Sequence, residues 1–318
     1  MEHIVEIKNL SKDYETGFWR KRKVRALHGL DLAVRPGQIF GFLGGNGAGK
    51  TTTIKILMSL LFPTEGSAKI LGANITEVSI RSRIGYCPEN PYFYDYLTPL
   101  ELMDHIGEIF GISATHRKSK TEELLTLAGL AEKDWTKQLR KFSKGMQQRV
   151  GLAQSLINDP EIVFLDEPMS GLDPVGRREI REMISSLREK GTTVFMSTHI
   201  LSDVEALCDE VAILRRGRLA ASGNLQELLS SSGEHRSFEV MAAGVSADTL
   251  LRSTFAGELG KISAKPNGTA IEVHSEEEIE GVIKAVRESG GILISVLPIT
   301  QSLEDLFVEP VSATQESD

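Results

Sequence analysis

"GGNGAGKTT", Gly44 to Thr52, decides the fold of this chain. It fits the pattern G-x-x-x-x-G-K-[ST], with Gly44, Gly49, Lys50 and Thr51 at the fixed positions. Glycines let the backbone N–H groups of Gly45, Asn46, Gly47 and Ala48 curl around phosphate oxygens. A helix that starts at Lys50 and runs on through Thr52 points its positive end at the same oxygens. Lys50 has the reach for β- and γ-phosphates, and the Thr51 hydroxyl suits Mg²⁺. A glycine turn that merely precedes Lys-Thr is the plainer alternative. The flanks disfavour it: the buried-strand pattern "IFGFLG" comes before, and the amphipathic helix "KTTTIKILMSLL" follows.

Further along, "IVFLDE" (Ile162 to Glu167) has four apolar residues that drive a strand into a core and leave two acids at its carboxyl end. Ligands of parallel sheets collect at such ends. Asp166 is placed to hold Mg²⁺, directly or through water, and Glu167 to orient and deprotonate an attacking water. Without Lys50 upstream, a plain turn-capping acid pair before Pro168 would fit as well. "FMSTH" ends another strand at Ser197, Thr198 and His199, on the same expected edge.

The remainder fits an α/β protein. Strands are expected at "HIVEIKNL", "LHGLDLAV", "EIVFLDEP" and "TTVFMSTH", with helices between, which implies a mostly parallel, covered sheet. From about 90 to 160 the pattern is mostly helical and reads as an inserted subdomain. Within it Thr98, Pro99 and Glu101 make a helix-start pattern. "LLSSSGEHRS" reads as a linker, giving domains over 1–230 and 231–318. The second has the strand and helix order β-α-β-β-α-β of a ferredoxin-like unit, with one helix at "ADTLLRST" and another at "EEEIEGVIKAVRES".

With 318 residues, 41% hydrophobic and 25% charged, the chain is long enough for two globular domains. A formal net charge of −8 argues against nucleic acid as the main partner. No signal-peptide layout or membrane-spanning run is visible, so a cytoplasmic location is expected. Cys87 and Cys208 show no metal or disulfide spacing and read as buried, neutral thiols. "FWRKRK", Phe18 to Lys23, reads as a solvated loop, with contact to anionic lipid as the sharper alternative.

"FSKGMQQR", Phe142 to Arg149, has no nucleophile with a base and no metal ligands, yet sets a Ser and a Gly at a helix start. Together with the motifs above, it resembles the nucleotide-binding domain of ABC ATPases over about residues 4 to 225, where the family writes LSGGQQQR. The resemblance implies a P-loop NTPase fold and half a site here, completed when a second copy brings its phosphate loop opposite Ser143 and Gly145. It also implies that Asp173, in "SGLD", communicates between two sites, that Tyr14 stacks on adenine, and that His199 is catalytic. Lys144 and Met146 replace a Gly and a Gln of that pattern, and Gly45 stands where Pro is frequent. Glu89, in "IGYCPE", stands where the family mostly has Gln. It has the chemistry of a Mg²⁺ ligand but adds negative charge beside Asp166 and Glu167, which bears on the catalytic rate.

The implied function is an ATPase that, with Mg²⁺, powers a separate integral membrane permease as a homodimer sandwiching two ATP. It would sit peripherally on the inner face of the cell membrane. The form of the "FSKGM" stretch, Glu89 and the C-terminal module ending in "SLEDLF" resemble the exporter branch with ABC-2 permeases. The alternative is a non-transport ABC ATPase acting on ribosomes or chromosomes. Against it stand the absence of long heptads between Thr52 and Ile162 and the single phosphate loop.

Overall fold

In a computed structural model, residues 2–17, 22–230, 238–245, 262–265 and 267–298 are described. The chain divides into two compact units, Met1–Leu225 and Gln226–Asp318.

The first unit holds two sheets. One is antiparallel, in the order β2 (Arg22–Val34), β1 (Val5–Thr16), β4 (Glu65–Ile70), β5 (Ala73–Asn74). Both long strands extend beyond the apolar segments that announce them. The other sheet has β3 (Ile39–Leu43) at its centre. Its order is β10 (Arg218–Asn224), β9 (Glu210–Arg215), β3, β8 (Thr193–Thr198), β7 (Ile162–Asp166), β6 (Ile84–Cys87). All its pairings are parallel except that of the edge strand β10 with β9.

The central strands carry buried apolar residues on both faces, as covered parallel strands must. On one face Phe195 packs its ring 5.4 Å from Phe40, 5.4 Å from Phe42 and 5.3 Å from Phe164. On the other, Gly41 leaves no space for a larger residue: a Cβ there would lie 2.7 Å from Cys208 Sγ. Cys208 follows α6 (Leu201–Leu207), so this glycine sets how closely that helix end packs on β3.

Helix α1 (Lys50–Leu57) is shorter than the apolar pattern predicts. Ser59 takes a left-handed backbone (φ 54), and the amides of Leu60 and Leu61 turn back to the Lys55 carbonyl. The inserted segment folds as α2 (Pro99–Ile109), α3 (Ala114–Leu127) and α4 (Lys144–Gln154). Thr98 and Glu101 form a reciprocal cap on α2, with Glu101 N–H donating to Thr98 Oγ1 at 3.2 Å and Thr98 N–H to Glu101 Oε2 at 2.8 Å. α5 (Pro174–Glu189) joins β7 to β8 and buries Ile180, Met183, Ile184 and Leu187 along one stripe.

α7 (Leu225–Ser230) takes the first three residues of the predicted linker, Leu228 to Ser230; residues 231–237 lie outside the described ones. In the second unit β11 (Phe238–Ala243) lies between β13 (Gly268–Val273) and β14 (Ile292–Pro298), with β12 (Ile262–Lys265) beyond β13, all antiparallel. Ferredoxin-like units share this split arrangement. α8 (Glu276–Glu288) closes its core with Val282, Ala285 and Val286 against Val240, Ile271 and Val273. The helix predicted at 247–254, the "SLEDLF" segment and Phe18 to Lys21 of the basic run lie outside the described residues; Arg22 and Lys23 open β2.

Candidate nucleotide site

Strand register assembles the site. Leu43, the last residue of β3, pairs with Thr198 on β8, and Ser197 pairs with Asp166 on β7. Three neighbouring parallel strands, β3, β8 and β7, therefore end in one row, and the phosphate loop leaves from β3.

That loop is compact for steric reasons. A Cβ at Gly44 would meet the Leu214 carbonyl oxygen at 2.7 Å, and one at Gly49 would meet the Ala26 carbonyl oxygen at 2.9 Å. Gly49 also caps α1 with φ 109, a backbone that other residues rarely adopt. At Gly45 a Cβ would meet nothing within 4 Å, so the missing proline costs the loop no packing. The first turn of α1 carries no acid, so nothing there competes with an anion.

Above the loop lies a cavity of about 540 Å³, lined by Ala26, residues 45–52, Glu89, Glu167, Ser170 and His199. Lys50 is buried at its floor. Its ammonium donates to the Gly44 carbonyl at 2.6 Å and the Gly45 carbonyl at 3.3 Å, and pairs with Glu167 Oε1 at 3.1 Å. Glu167 Oε2 lies 2.8 Å from His199 Nδ1. The backbone of Glu167 is left-handed (φ 50), an uncommon state for a residue with a Cβ and one that turns its carboxylate into the cavity row.

Asp166 is almost wholly buried, and two hydroxyls meet at its Oδ1: Ser197 Oγ at 2.6 Å and Thr51 Oγ1 at 3.3 Å. Its negative charge is felt nearby. Burial first, and then Asp166, pushes both the Tyr86 phenol and the Cys87 thiol up to about 12. The hydroxyl of Thr51 and the carboxylate of Asp166 are hard oxygen donors of the kind Mg²⁺ takes. Among the described residues no three His, Cys, Asp or Glu side chains cluster as a metal cage.

Glu89 follows β6 after Pro88 and reaches the same cavity half-buried. Tyr14 stands beside the loop: its hydroxyl lies 3.3 Å from Thr52 Oγ1, and Lys12 Nζ sits 5.5 Å from its ring centre. Ser143, Gly145 and Asp173 are not brought to the cavity of their own chain. Ser143 is exposed and caps α4, accepting from Met146 N–H at 3.3 Å. Exposed Asp173 caps α5 through Gly176 N–H at 3.0 Å. These two caps lie near each other, because a Cβ on Gly171 would touch Lys144 Nζ at 3.2 Å. Ser170 and Ala26 are additions that no motif marks. Ser197 was visible at the strand end, but its bond to Asp166 depends on which strands are neighbours.

Comparison with known proteins settles the family. Residues 27–170 match the family model described as ABC transporter. An uncharacterized ABC transporter ATP-binding protein of Synechocystis is 45% identical over 96% of this chain and 84% of its own length. The chain belongs to the ABC transporter ATP-binding family. The bacitracin transport ATP-binding protein BcrA of Enterococcus faecalis is 33% identical, covering 96% of each chain. The daunorubicin resistance ATP-binding protein DrrA3 of Streptomyces coeruleorubidus is 33% identical over 89% of this chain and 90% of its own. In structure, the chain is similar to a dimeric ATP-binding cassette in a post-hydrolysis state with ADP and Pi. The TM-score is 0.64 at 27% identity, over 70% of this chain and 98% of that one. As a member of the ABC family the chain binds ATP and is an ATPase whose turnover serves transport by a separate permease. No helix among its described residues is long and apolar enough to cross a membrane.

Proposed function

We propose that this ABC ATPase drives an exporter with a permease of the ABC-2 type, as a homodimer that closes head to tail over two ATP. One observation carries the reading. A single chain holds a complete phosphate cradle with Lys50, Asp166, Glu167 and His199, while Ser143 and Asp173 are exposed and away from it. Two copies supply what one lacks: the α4 end of each, with Ser143 and Gly145, faces the phosphates held by the other. The dimeric cassette to which the chain is similar supports this arrangement.

Within each site the roles follow from position. The loop amides from Gly45 to Thr52 bind the phosphate chain, and Tyr14 offers its ring to adenine. Thr51, Asp166 and Glu89 would hold Mg²⁺, which when bound offsets negative charge on the phosphates. Glu167 accepts the proton of the attacking water, and His199, 2.8 Å from it, fixes its direction. Lys50 leaves Glu167 for the γ-phosphate as nucleotide enters, which frees the carboxylate for the water. Asp173 couples the two sites.

Export is supported by relatives named for bacitracin transport and daunorubicin resistance, since resistance is met by moving a compound outward. The permease places the ATPase at the inner membrane face. Exposed Tyr92, Tyr94 and Tyr96, which follow Glu89, suit contact with it. The test is affinity capture of the Glu167→Gln chain from solubilised membranes with ATP and Mg²⁺. One multi-span protein in stoichiometric amount is the expected result. Ribosomes or DNA in its place would overturn the reading.

A further inference from the structure

We infer that Ser197 is a positioning residue for hydrolysis, acting on Asp166 and Glu167 at once. This rests on the roles proposed above for those two acids. The residues before it on β8, Val194 to Met196, are apolar, and Ser197 itself is wholly buried. A polar group placed there must be satisfied, and its partners show what it does. The hydroxyl donates its one proton to Asp166 Oδ1 at 2.6 Å and accepts the Glu167 amide at 3.0 Å. The Ser197 carbonyl takes a longer share of that amide, at 3.2 Å.

The two bonds meet different needs. With Thr51 on the same Asp166 oxygen, Ser197 ties down Oδ1 and leaves Oδ2 out of both bonds. By holding the amide of Glu167, it stabilises the left-handed turn (φ 50) that aims the Glu167 side chain between Lys50 and His199. One hydroxyl therefore sets the geometry of a metal ligand and of a base that stand next to each other in sequence but do different work. Outer partners of this kind typically change metal affinity or activity by about 10–100-fold when removed.

The test compares Ser197→Ala and Ser197→Thr with the full-length parent. Ser197→Ala should lower kcat by roughly 10–100-fold, and the KM for ATP in the presence of Mg²⁺ should rise only as far as the metal-dependent part of binding weakens. Affinity for ATP measured without metal should stay within about 2-fold of the parent, whereas the gain in affinity on adding Mg²⁺ should shrink by about 10-fold or more. Ser197→Thr keeps the hydroxyl and should restore most of both. The inference is overturned if Ser197→Ala keeps kcat within about 3-fold. It is also overturned if metal-free ATP affinity and melting temperature fall together with kcat, because that is a packing effect. Parallel Asp166→Asn and Glu167→Gln chains separate the layers. Full hydrolysis by either would remove the proposed roles themselves, whatever Ser197 does.

Discussion

Lys50 Nζ stands 3.1 Å from Glu167 Oε1, and both side chains are under one-tenth exposed. Each charge has left water and is compensated by the other and by local hydrogen bonds. Removing one partner of such a pair costs about 3–5 kcal/mol, because the other stays buried and unpaired. Lys50→Met should therefore lower the melting temperature as well as abolish turnover. The double variant with Glu167→Gln should recover much of that loss with no return of activity. Thermal unfolding of the single and double variants checks this; equal melting points would show that the pair contributes nothing to stability.

The separation of Ser143 from its own cavity makes a mixing experiment decisive. Chains with Lys50→Ala lack a working phosphate loop, and chains with Ser143→Arg lack a working α4 end. Each alone should be inactive. In a mixed dimer one site carries both defects and the other carries none. Mixing equal amounts should restore turnover to about a quarter of the parent, half the dimers having one live site. No recovery at any ratio would mean that Ser143 does not act in trans.

Much of this site was readable because its chemistry is local. Gly44 to Thr52 sit on one turn, and Asp166 and Glu167 are adjacent, so spacing alone identifies them. Tertiary relations were less accessible. The bond from Ser197 to Asp166 spans 31 positions and exists because β7 and β8 are neighbours in register, which no periodicity encodes. The shortened α1 has a similar cause. Met58, Leu60 and Leu61 continue the apolar pattern, yet the left-handed backbone at Ser59 ends the helix, and the pattern contains no signal for it. β9 and β10 complete the central sheet beyond the strands that the pattern predicts, and Ser170 joins the cavity only through the turn after Glu167.

The cap of α2 gives a pH signature. Bonds first from the Thr98 amide and then from its hydroxyl hold the Glu101 carboxyl below the usual range. A carboxyl with a depressed folded value adds stability above its unfolded pKa and loses it as pH falls through the folded one. Thr98→Ala should cost about 1 kcal/mol at neutral pH through loss of the cap. The gap to the parent should narrow as the medium is acidified below the ordinary Glu range, where the hydroxyl's bond to the carboxylate is lost. The part from Thr98 Oγ1 accepting the Glu101 amide should persist. Unfolding curves at pH 7, 5 and 3.5 test this; a gap that widens in acid would contradict it.

At the alkaline end Cys87 governs the expectation. Burial, and secondarily the negative charge of Asp166, raise its thiol to about 12, and burial raises Cys208 as well. The reactive species is the thiolate, so neither thiol should react with iodoacetamide at pH 8 until the chain unfolds. The linkage runs opposite to that of Glu101. A thiol raised in the folded state keeps its proton there while the unfolded chain gives it up. Its contribution is complete below the unfolded thiol pKa, about 8.5, and falls as pH climbs from there toward 12. Urea unfolding at pH 7.5 and 10 should thus show a greater loss for the parent than for Cys87→Ala. Tyr86, raised for similar reasons, adds to the loss in both chains only above its own ordinary value, near 10. Equal losses in the two chains at pH 10, or rapid labelling of the native protein, would mean that Cys87 is more open to solvent than its packing beneath α4 allows.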